Sequence, residues 1–269
     1  MDIKLRLIQK NSLKDRENYL ALQKSVALFP DIRLDKEMYK DISWQEQFKN
    51  ENRICYVIET MAESSYCGEC AVKDISAKIP ELEIELMQEY WHQGIGYKSI
   101  IMMMEKLAEK YGKEEFCAKV EPDNYASQFL IEKLKGIPAG LTKDYIISDE
   151  RIEQFVETHR YLLDERMHDI AERFGVEADL LLTNLLVYKL NLNDIQMNVL
   201  DETEKRNKRK YIDCQRNLSK GKMKDTMLEI MEGLEEIKSF NSPNGIINNK
   251  VADMEAKLIK KMKLMETIE

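Results

Sequence analysis

The chain has 269 residues, 43% of them hydrophobic and 33% charged, with a formal net charge of −8. That length can bury a sizeable core and fits one large domain or two ordinary ones, and we expect two. The acidic balance argues against broad nucleic-acid binding and for cationic partners, and no apolar run approaches the roughly 20 residues of a membrane span. The first ten residues, MDIKLRLIQK, lack the apolar core of a secretion signal, so the expected location is the cytosol.

In chain order, Ile3, Leu5 and Leu7 alternate and predict a first strand over 2–9. Asn11 reads as a cap for an amphipathic helix through Tyr19, Leu22 and Leu28, stopped by Pro30. A second helix is expected over 34–49, with Trp44 and Phe48 four residues apart as core anchors. The next strands are expected at 53–60 (RICYVIET) and 66–73 (YCGECAVK), joined as a hairpin by a polar turn.

The stretch 81–98, ELEIELMQEYWHQGIGYK, is the centre around which the other elements are organised. Leu82, Ile84 and Leu86 alternate with Glu81, Glu83 and Glu85, so one face of the strand feeds a core and the other presents three carboxylates. Gly94 and Gly96 then open a helix expected from about Tyr97 to Tyr111, ended by Gly112. Strand, glycine loop and helix start make an anion site, because glycine permits close backbone approach and the first N–H groups of a helix face outward with its positive dipole end. A strand at 116–120, a turn at Pro122–Asn124 and a short helix at 126–134 ending near Gly136 come next, with a last strand at 145–148.

Five cysteines, at 55, 67, 70, 117 and 214, are an odd number without regular spacing and read as thiols. Cys67 and Cys70 fall three apart in a strand, on opposite faces, which does not suit one metal ion, and no metal site is expected. With only three histidines, at 92, 159 and 168, a His-rich site or a Ser-His-Asp triad has little to draw on. His92 in the glycine loop reads as an exposed loop residue.

The residues after 150 are helical in pattern. Ile152, Phe155, Val156, His159, Leu162 and Leu163 make one stripe, and a leucine-rich helix is expected over 178–190. A helix-turn-helix at 170–176 is set aside because the segment after it is too apolar to read a groove. The basic run KRNKRK at 205–210 reads as a solvated element. Residues 223–240 and 250–268 flank a turn at 241–245 and read as an antiparallel helical hairpin whose apolar seam seeks a partner, a second copy or another protein.

Trp91-x-x-Gly94-x-Gly96 after a strand, then a helix, a strand and VEPDNYASQFLIEKLKG at 120–136, resembles the core of the GNAT family of acetyl-CoA-dependent N-acetyltransferases. The family's loop is Q/R-x-x-G-x-G/A, and Tyr90-Trp91 in its place is similar to the ribosomal-protein and small-amine branch. The resemblance covers roughly 1–150 and implies an α/β fold, a GNAT-like mixed central sheet flanked by helices; the helical pattern beyond it, which the resemblance does not reach, reads as an all-α accessory domain at 151–269. It implies acetyl transfer from acetyl-CoA, as co-substrate, to an amine of a small molecule, peptide or protein. It also implies that the backbone of His92, Gln93, Gly94, Ile95, Gly96, Tyr97 and Lys98 holds a pyrophosphate, that the backbone of Leu86 and Met87 pairs with pantetheine amides, and that Asn124, with Ser127 nearby, contacts the pantetheine arm. Asn124 equally suits a helix cap. Glu81 falls at the family's recurrent acidic position, and Glu81, Glu83 and Glu85 are the candidate proton acceptors for an amine whose ammonium form must first be neutralised. Ile131 stands where several members carry a tyrosine acid. That departure, with the long tail, keeps open a second reading, a non-catalytic acyl-CoA-binding module with a helical partner-binding domain.

Overall fold

A computed structural model of the chain describes residues 2–26, 37–143, 152–197 and four positions beyond. Its chain contacts separate two units, Met1–Leu192 and Asn193–Glu269. The basic run at 205–210 and the strand expected at 145–148 lie outside the described residues, as does the helical hairpin expected at 223–268 apart from those four positions. No helix among the described residues is long and apolar enough to cross a membrane.

The first unit is built on two antiparallel sheets. Strands β1 (Ile3–Leu7), β2 (Ile54–Thr60), β3 (Tyr66–Val72) and β4 (Leu82–Leu86) pair in sequence order as the first. Six consecutive residues of β2 and of β3 are buried, so both faces of this sheet are covered. Helices α1 (Leu13–Val26) and α2 (Glu37–Glu46) lie on one face, and α3 (Ile95–Tyr111) packs on the other with Ile100, Ile101, Met103, Met104 and Leu107 buried. Trp44 is buried, with its ring 5.6 Å from Tyr19 and 4.9 Å from Phe48, and it anchors α2 on α1 by also donating from Nε1 to the Lys10 carbonyl at 3.2 Å.

Charge ties the first strand in. Asp15 on α1, 1% exposed, accepts two bonds from the Arg6 guanidinium, at 2.6 and 2.8 Å, and Glu59 on β2 accepts a third at 2.9 Å. Burial pushes the Asp15 carboxyl up, but Arg6 beside it outweighs burial and holds it below the ordinary range.

The second sheet has the order β5-β7-β6, with β5 at Glu115–Val120, β6 at Ile137–Lys143 and β7 at Asn184–Asn191. Helix α4 (Tyr125–Lys133) links β5 to β6, and α5 (Ile152–His159) and α6 (Glu165–Phe174) precede β7. This arrangement corrects two expectations. The segment expected as a leucine-rich helix over 178–190 is a short 3₁₀ turn and then a strand, in which Leu186, Tyr188 and Leu190 are buried at every second position. The domain read as all-α from 151 therefore contributes the central strand of the second sheet. The strand after α4 begins at Ile137, ahead of the strand expected at 145–148, and its Pro138 and Gly140 are accommodated by a register shift on an outer strand.

The compact unit thus runs past the boundary expected near 150, because β5 and β6 touch each other only through β7. Truncation after Ser148 leaves both without their partner. Such a fragment is expected to be insoluble or non-cooperative in thermal melting, whereas 1–192 melts cooperatively; a well-folded 1–148 fragment by circular dichroism would show that β7 is dispensable.

Candidate active site

Strand β4 is positioned by its register on β3. Gly68 faces Leu86 and Glu69 faces Glu85, and at the two ends of the ladder the N–H groups of Lys73 and Met87 donate to the carbonyls of Glu81 and Cys67, both at 2.9 Å. Backbone groups of successive strand residues point to opposite sides, so Glu81, Glu83, Glu85 and Met87 turn theirs toward β3 while Leu82, Ile84 and Leu86 turn theirs toward β5. There β5 runs parallel and meets this edge at one bridge, Glu81 with Cys117, where Cys117 N–H donates to the Pro80 carbonyl at 2.9 Å. Ile84 and Leu86 have no strand partner on that side among the described residues. The result is a parallel cleft closed at the Glu81 end and open at the Leu86 end.

Gly68 fixes this geometry. Its φ is +148°, and a Cβ there would stand 2.1 Å from the Glu85 carbonyl oxygen and 2.8 Å from the Leu86 Cα. Only glycine lets β3 and β4 approach so closely.

At the mouth of the cleft, Trp91 folds back and donates from Nε1 to the Leu86 carbonyl at 2.8 Å. That leaves the Leu86 N–H and both backbone groups of Ile84 on the open edge. Met87, expected to share this role, is engaged at both ends: its N–H donates to Cys67 and its carbonyl accepts from Tyr90 N–H, each at 2.9 Å. Gly94 sits at φ +75° with nothing within 4 Å of a Cβ position, and Gly96 is buried, its Cβ position within 3.7 Å of the Ile84 and Leu86 side chains. The two glycines therefore do different work. Gly94 turns the chain into α3, and Gly96 lets the helix start press against β4. The first intrahelical bond, Lys98 N–H to the Gly94 carbonyl at 3.1 Å, leaves the amides of Ile95 and Gly96 ahead of it with no side-chain cap.

The remaining loop residues sit around this turn. His92, at φ +58°, and Gln93 are exposed, Gln93 donating to the Glu89 carbonyl at 2.7 Å. Tyr97 lies under the Lys133 ammonium, 4.9 Å from the ring centre, and Lys98 reaches Asp2 at 3.7 Å. Asn124 caps α4, accepting from Ser127 N–H at 3.0 Å. Its carbonyl oxygen is thereby engaged, and its amide NH₂ is the part able to reach a ligand. Ile131 is buried, so no hydroxyl stands at that position.

On the other face of β4 the three glutamates have different surroundings. Glu81 accepts from Lys73 at 2.5 Å and pairs with Lys119 at 2.8 Å. Burial pushes its carboxyl up, yet Lys119 and Lys73 together hold it below the ordinary range. Glu83 pairs with Arg53 at 2.6 Å and Lys73 at 2.8 Å. Glu85 has a neutral partner, Gln23 of α1, donating at 2.7 Å. It opens to solvent on one side and is walled by protein on the others, and burial, with Glu83 nearby, pushes its carboxyl up.

Directly opposite Glu85 lies Glu69 on β3, 7% exposed. Tyr66 OH donates to it at 3.0 Å and the Cys55 thiol at 3.5 Å. Burial pushes the Glu69 carboxyl up to about 7. Both glutamates line a pocket of about 270 Å³ between the sheet and helices α1 and α2, together with Glu46, Glu83 and one guanidinium, Arg53. Glu69, inside Cys67-Gly-Glu-Cys70, was not among the residues expected at the site, although an acidic residue in a strand buried on both faces was itself the signal.

Residues 5–136 match the family model described as an acetyltransferase (GNAT) domain. This region is a GNAT acetyltransferase domain. Among solved structures, the chain is similar to a chimera of the spermidine N-acetyltransferase SpeG from Vibrio cholerae and hSSAT, at 11% identity and a TM-score of 0.50, covering 72% of this chain and 98% of that one. The ribosomal-protein-S5-alanine acetyltransferase from Vibrio fischeri also matches, at 14% identity and a TM-score of 0.47, over 72% of this chain and 95% of that one. None of the curated proteins matches. The GNAT resemblance and the α/β fold expected from the sequence hold, with the second sheet completed by β7.

Gly68→Ala is expected to cost on the order of 2 kcal/mol or more, since backbone rather than a flexible side chain must shift; a melting temperature within a degree or so of the parent would show that β4 is not held by this approach. The Glu69 carboxyl, raised on folding, stabilises nothing once ionised: its favourable contribution is present below the unfolded pKa of about 4.3 and is lost as pH rises through about 7. Glu69→Gln should therefore gain stability relative to the parent between these pH values, by up to about 3 kcal/mol, and hold that gain above them. A difference between the two melting curves that does not vary with pH would contradict it.

Proposed function

We propose that the domain transfers an acetyl group from acetyl-CoA to a primary amine of a small molecule, peptide or protein. The observation that carries this reading is the open edge of β4. An extended amide-bearing arm can pair with the Ile84 and Leu86 backbone as an added strand, in the cleft that β5 leaves beyond its single bridge. The residues fit the rest of acetyl-CoA as well: the uncapped amides at Ile95 and Gly96, reached over the open space at Gly94, suit a pyrophosphate, and the Asn124 NH₂ suits a pantetheine carbonyl. When bound, acetyl-CoA supplies an activated acyl thioester.

The chain's own contribution is placement and proton handling. The acidic pocket lies on the opposite face of the same strand, so an ammonium drawn to its carboxylates is delivered beside β4. Four glutamates against one arginine favour a cationic acceptor over an anionic one. The amines named for the structurally similar enzymes are in keeping with this charge, which rests here on the pocket itself.

Ile131 favours the other reading, a non-catalytic acyl-CoA-binding module, because no hydroxyl stands ready to protonate a leaving thiolate. A thiol of this kind, with a pKa near the ~8.5 of cysteine, leaves tolerably without an acid, so the enzyme reading is preferred. Acetyl-CoA binding measured by calorimetry tests the first half. Gly94→Val should weaken it at least about tenfold, the loss of one or two charge-assisted bonds, while the fold is retained. Unchanged affinity would remove the phosphate-loop assignment. Release of free thiol across a panel of primary amines separates the enzyme from the binding module.

A further inference from the structure

We propose that Glu69 on β3 and Glu85 on β4 form one two-carboxylate site that receives the acceptor's ammonium group, with Glu69 as the general base that takes its proton. This site rests on the acetyl-transfer reading and supplies the groups that would serve it. Like charges set directly opposite on neighbouring strands are unfavourable, and nothing in the fold demands that both positions be acidic. The pair lies at a ladder position where the two Cα atoms stand about 5.5 Å apart, so both carboxylates can reach one cation.

Every other acid on this face already has a cationic partner. Glu81 has Lys73 and Lys119, Glu83 has Arg53 and Lys73, and Glu46 of α2 has Lys49. Among the described residues, Glu69 and Glu85 accept from neutral donors, Tyr66, Cys55 and Gln23. An ammonium entering the pocket thus finds a single unneutralised site. The groups facing Glu69 act in both directions: burial, the largest influence, and the Glu85 charge push its pKa up, whereas the Tyr66 and Cys55 donors and Arg53, just before β2, draw it down, and those two donors stay protonated because their own pKa values are raised. Tyr19 on α1, its hydroxyl bonded to Ser43 and Gln47, also stays protonated and adds no charge.

The proton balance is simple. The ammonium gives one proton to the Glu69 carboxylate; the freed nitrogen lone pair forms the N–C bond to the acyl carbon as the C–S bond breaks with its electrons on sulfur. The nitrogen's second proton neutralises the thiolate directly or through water, and the first leaves Glu69 through the open side of the pocket. The products are an amide, a thiol and one proton. Neither Glu81 nor Glu83 suits the role, since each is already held in ion pairs with two cations and has no free place for the acceptor's ammonium.

The test needs no acceptor turnover. In protein labelled with ¹³C at the glutamate carboxyl carbon, titrated without acetyl-CoA from about pH 5.5 to 9, one resonance should titrate near 7 and vanish in Glu69→Gln. In Glu85→Gln its midpoint should fall by about one pH unit, because a neighbouring like charge is gone. Adding n-butylammonium chloride to the parent should lower the midpoint similarly, and do so far less in Glu85→Gln. A Glu69 resonance titrating in the ordinary range near 4–5, a midpoint indifferent to Glu85→Gln, or one that ignores the added ammonium would each overturn the site. Failure of acetyl-CoA to bind leaves these titrations untouched, so the two readings fall separately.

Discussion

The close approach of Gly68 to Leu86 is the contact on which the site depends. A strand carries two rows of backbone groups, and once β3 takes the row at Glu81, Glu83, Glu85 and Met87, the other row must face β5. Had β5 continued its parallel pairing past Cys117, the row at Ile84 and Leu86 would be closed. Because the single bridge falls at Glu81, the same strand is a wall of the sheet at one end and an open edge at the other. Exposed edges invite association with other chains, and this one is sheltered by Trp91 over the Leu86 carbonyl and by the start of α3. Gly96 completes the arrangement: its lack of a side chain lets α3 lie against Ile84 and Leu86, bringing the helix start to the mouth of the cleft.

Electrostatics then divides the glutamates on one face of β3 and β4 into two kinds. Glu81 and Glu83 lie toward the closed end, where Lys73, Lys119 and Arg53 pair with them. These pairs, at 2.5–2.8 Å, link the exposed Lys73 at the end of β3 to β4, and β4 to Lys119 of β5. Glu69 and Glu85 lie toward the open end, without an ion pair among the described residues, and burial raises both. The division comes from residue spacing: Lys73 sits opposite Glu81, whereas the positions opposite Glu85 and Leu86 are Glu69 and Gly68.

Much of this was legible in the sequence. Alternation at 82–86 placed Glu81, Glu83 and Glu85 on one face, and Gly94 with Gly96 marked the helix start within two residues of Ile95. Asn124 as a cap was equally legible, from residue type and position. What alternation within one strand could not show was the neighbour across the ladder, which register alone determines. Hence alternation alone does not separate Glu83 and Glu85 from Glu81, which the family resemblance singles out, and Glu69 lies inside a CxxC segment that alternation gives no acidic partner. Register likewise decides the direction of the Met87 backbone: its parity, set by the β3 pairing, turns its N–H to the Cys67 carbonyl and away from the cleft. The strand at 184–191 was obscured by composition, because LLLTNLLVYKL satisfies a helical stripe as readily as the alternation of Leu186, Tyr188 and Leu190.

That strand also bears on the cleft. β5 gains little from β4, which it touches at one bridge, and its full ladder, six register pairs from Glu115–Asn191 to Val120–Leu186, is with β7. The far wall of the cleft is therefore held from behind. Tyr188 and Leu190 of β7 are buried in the second sheet with Phe116 and Ala118 of β5, and the Phe174 ring of α6 packs edge-on against Tyr188 at 5.2 Å. The angle at which β5 departs from β4 is a compromise between one bridge at the closed end and a complete ladder on the opposite side. A segment about 90 residues downstream of the glycine loop thus sets how wide the cleft stands, and the cleft and the strand that braces it belong to one cooperative unit rather than to a core and an appendage.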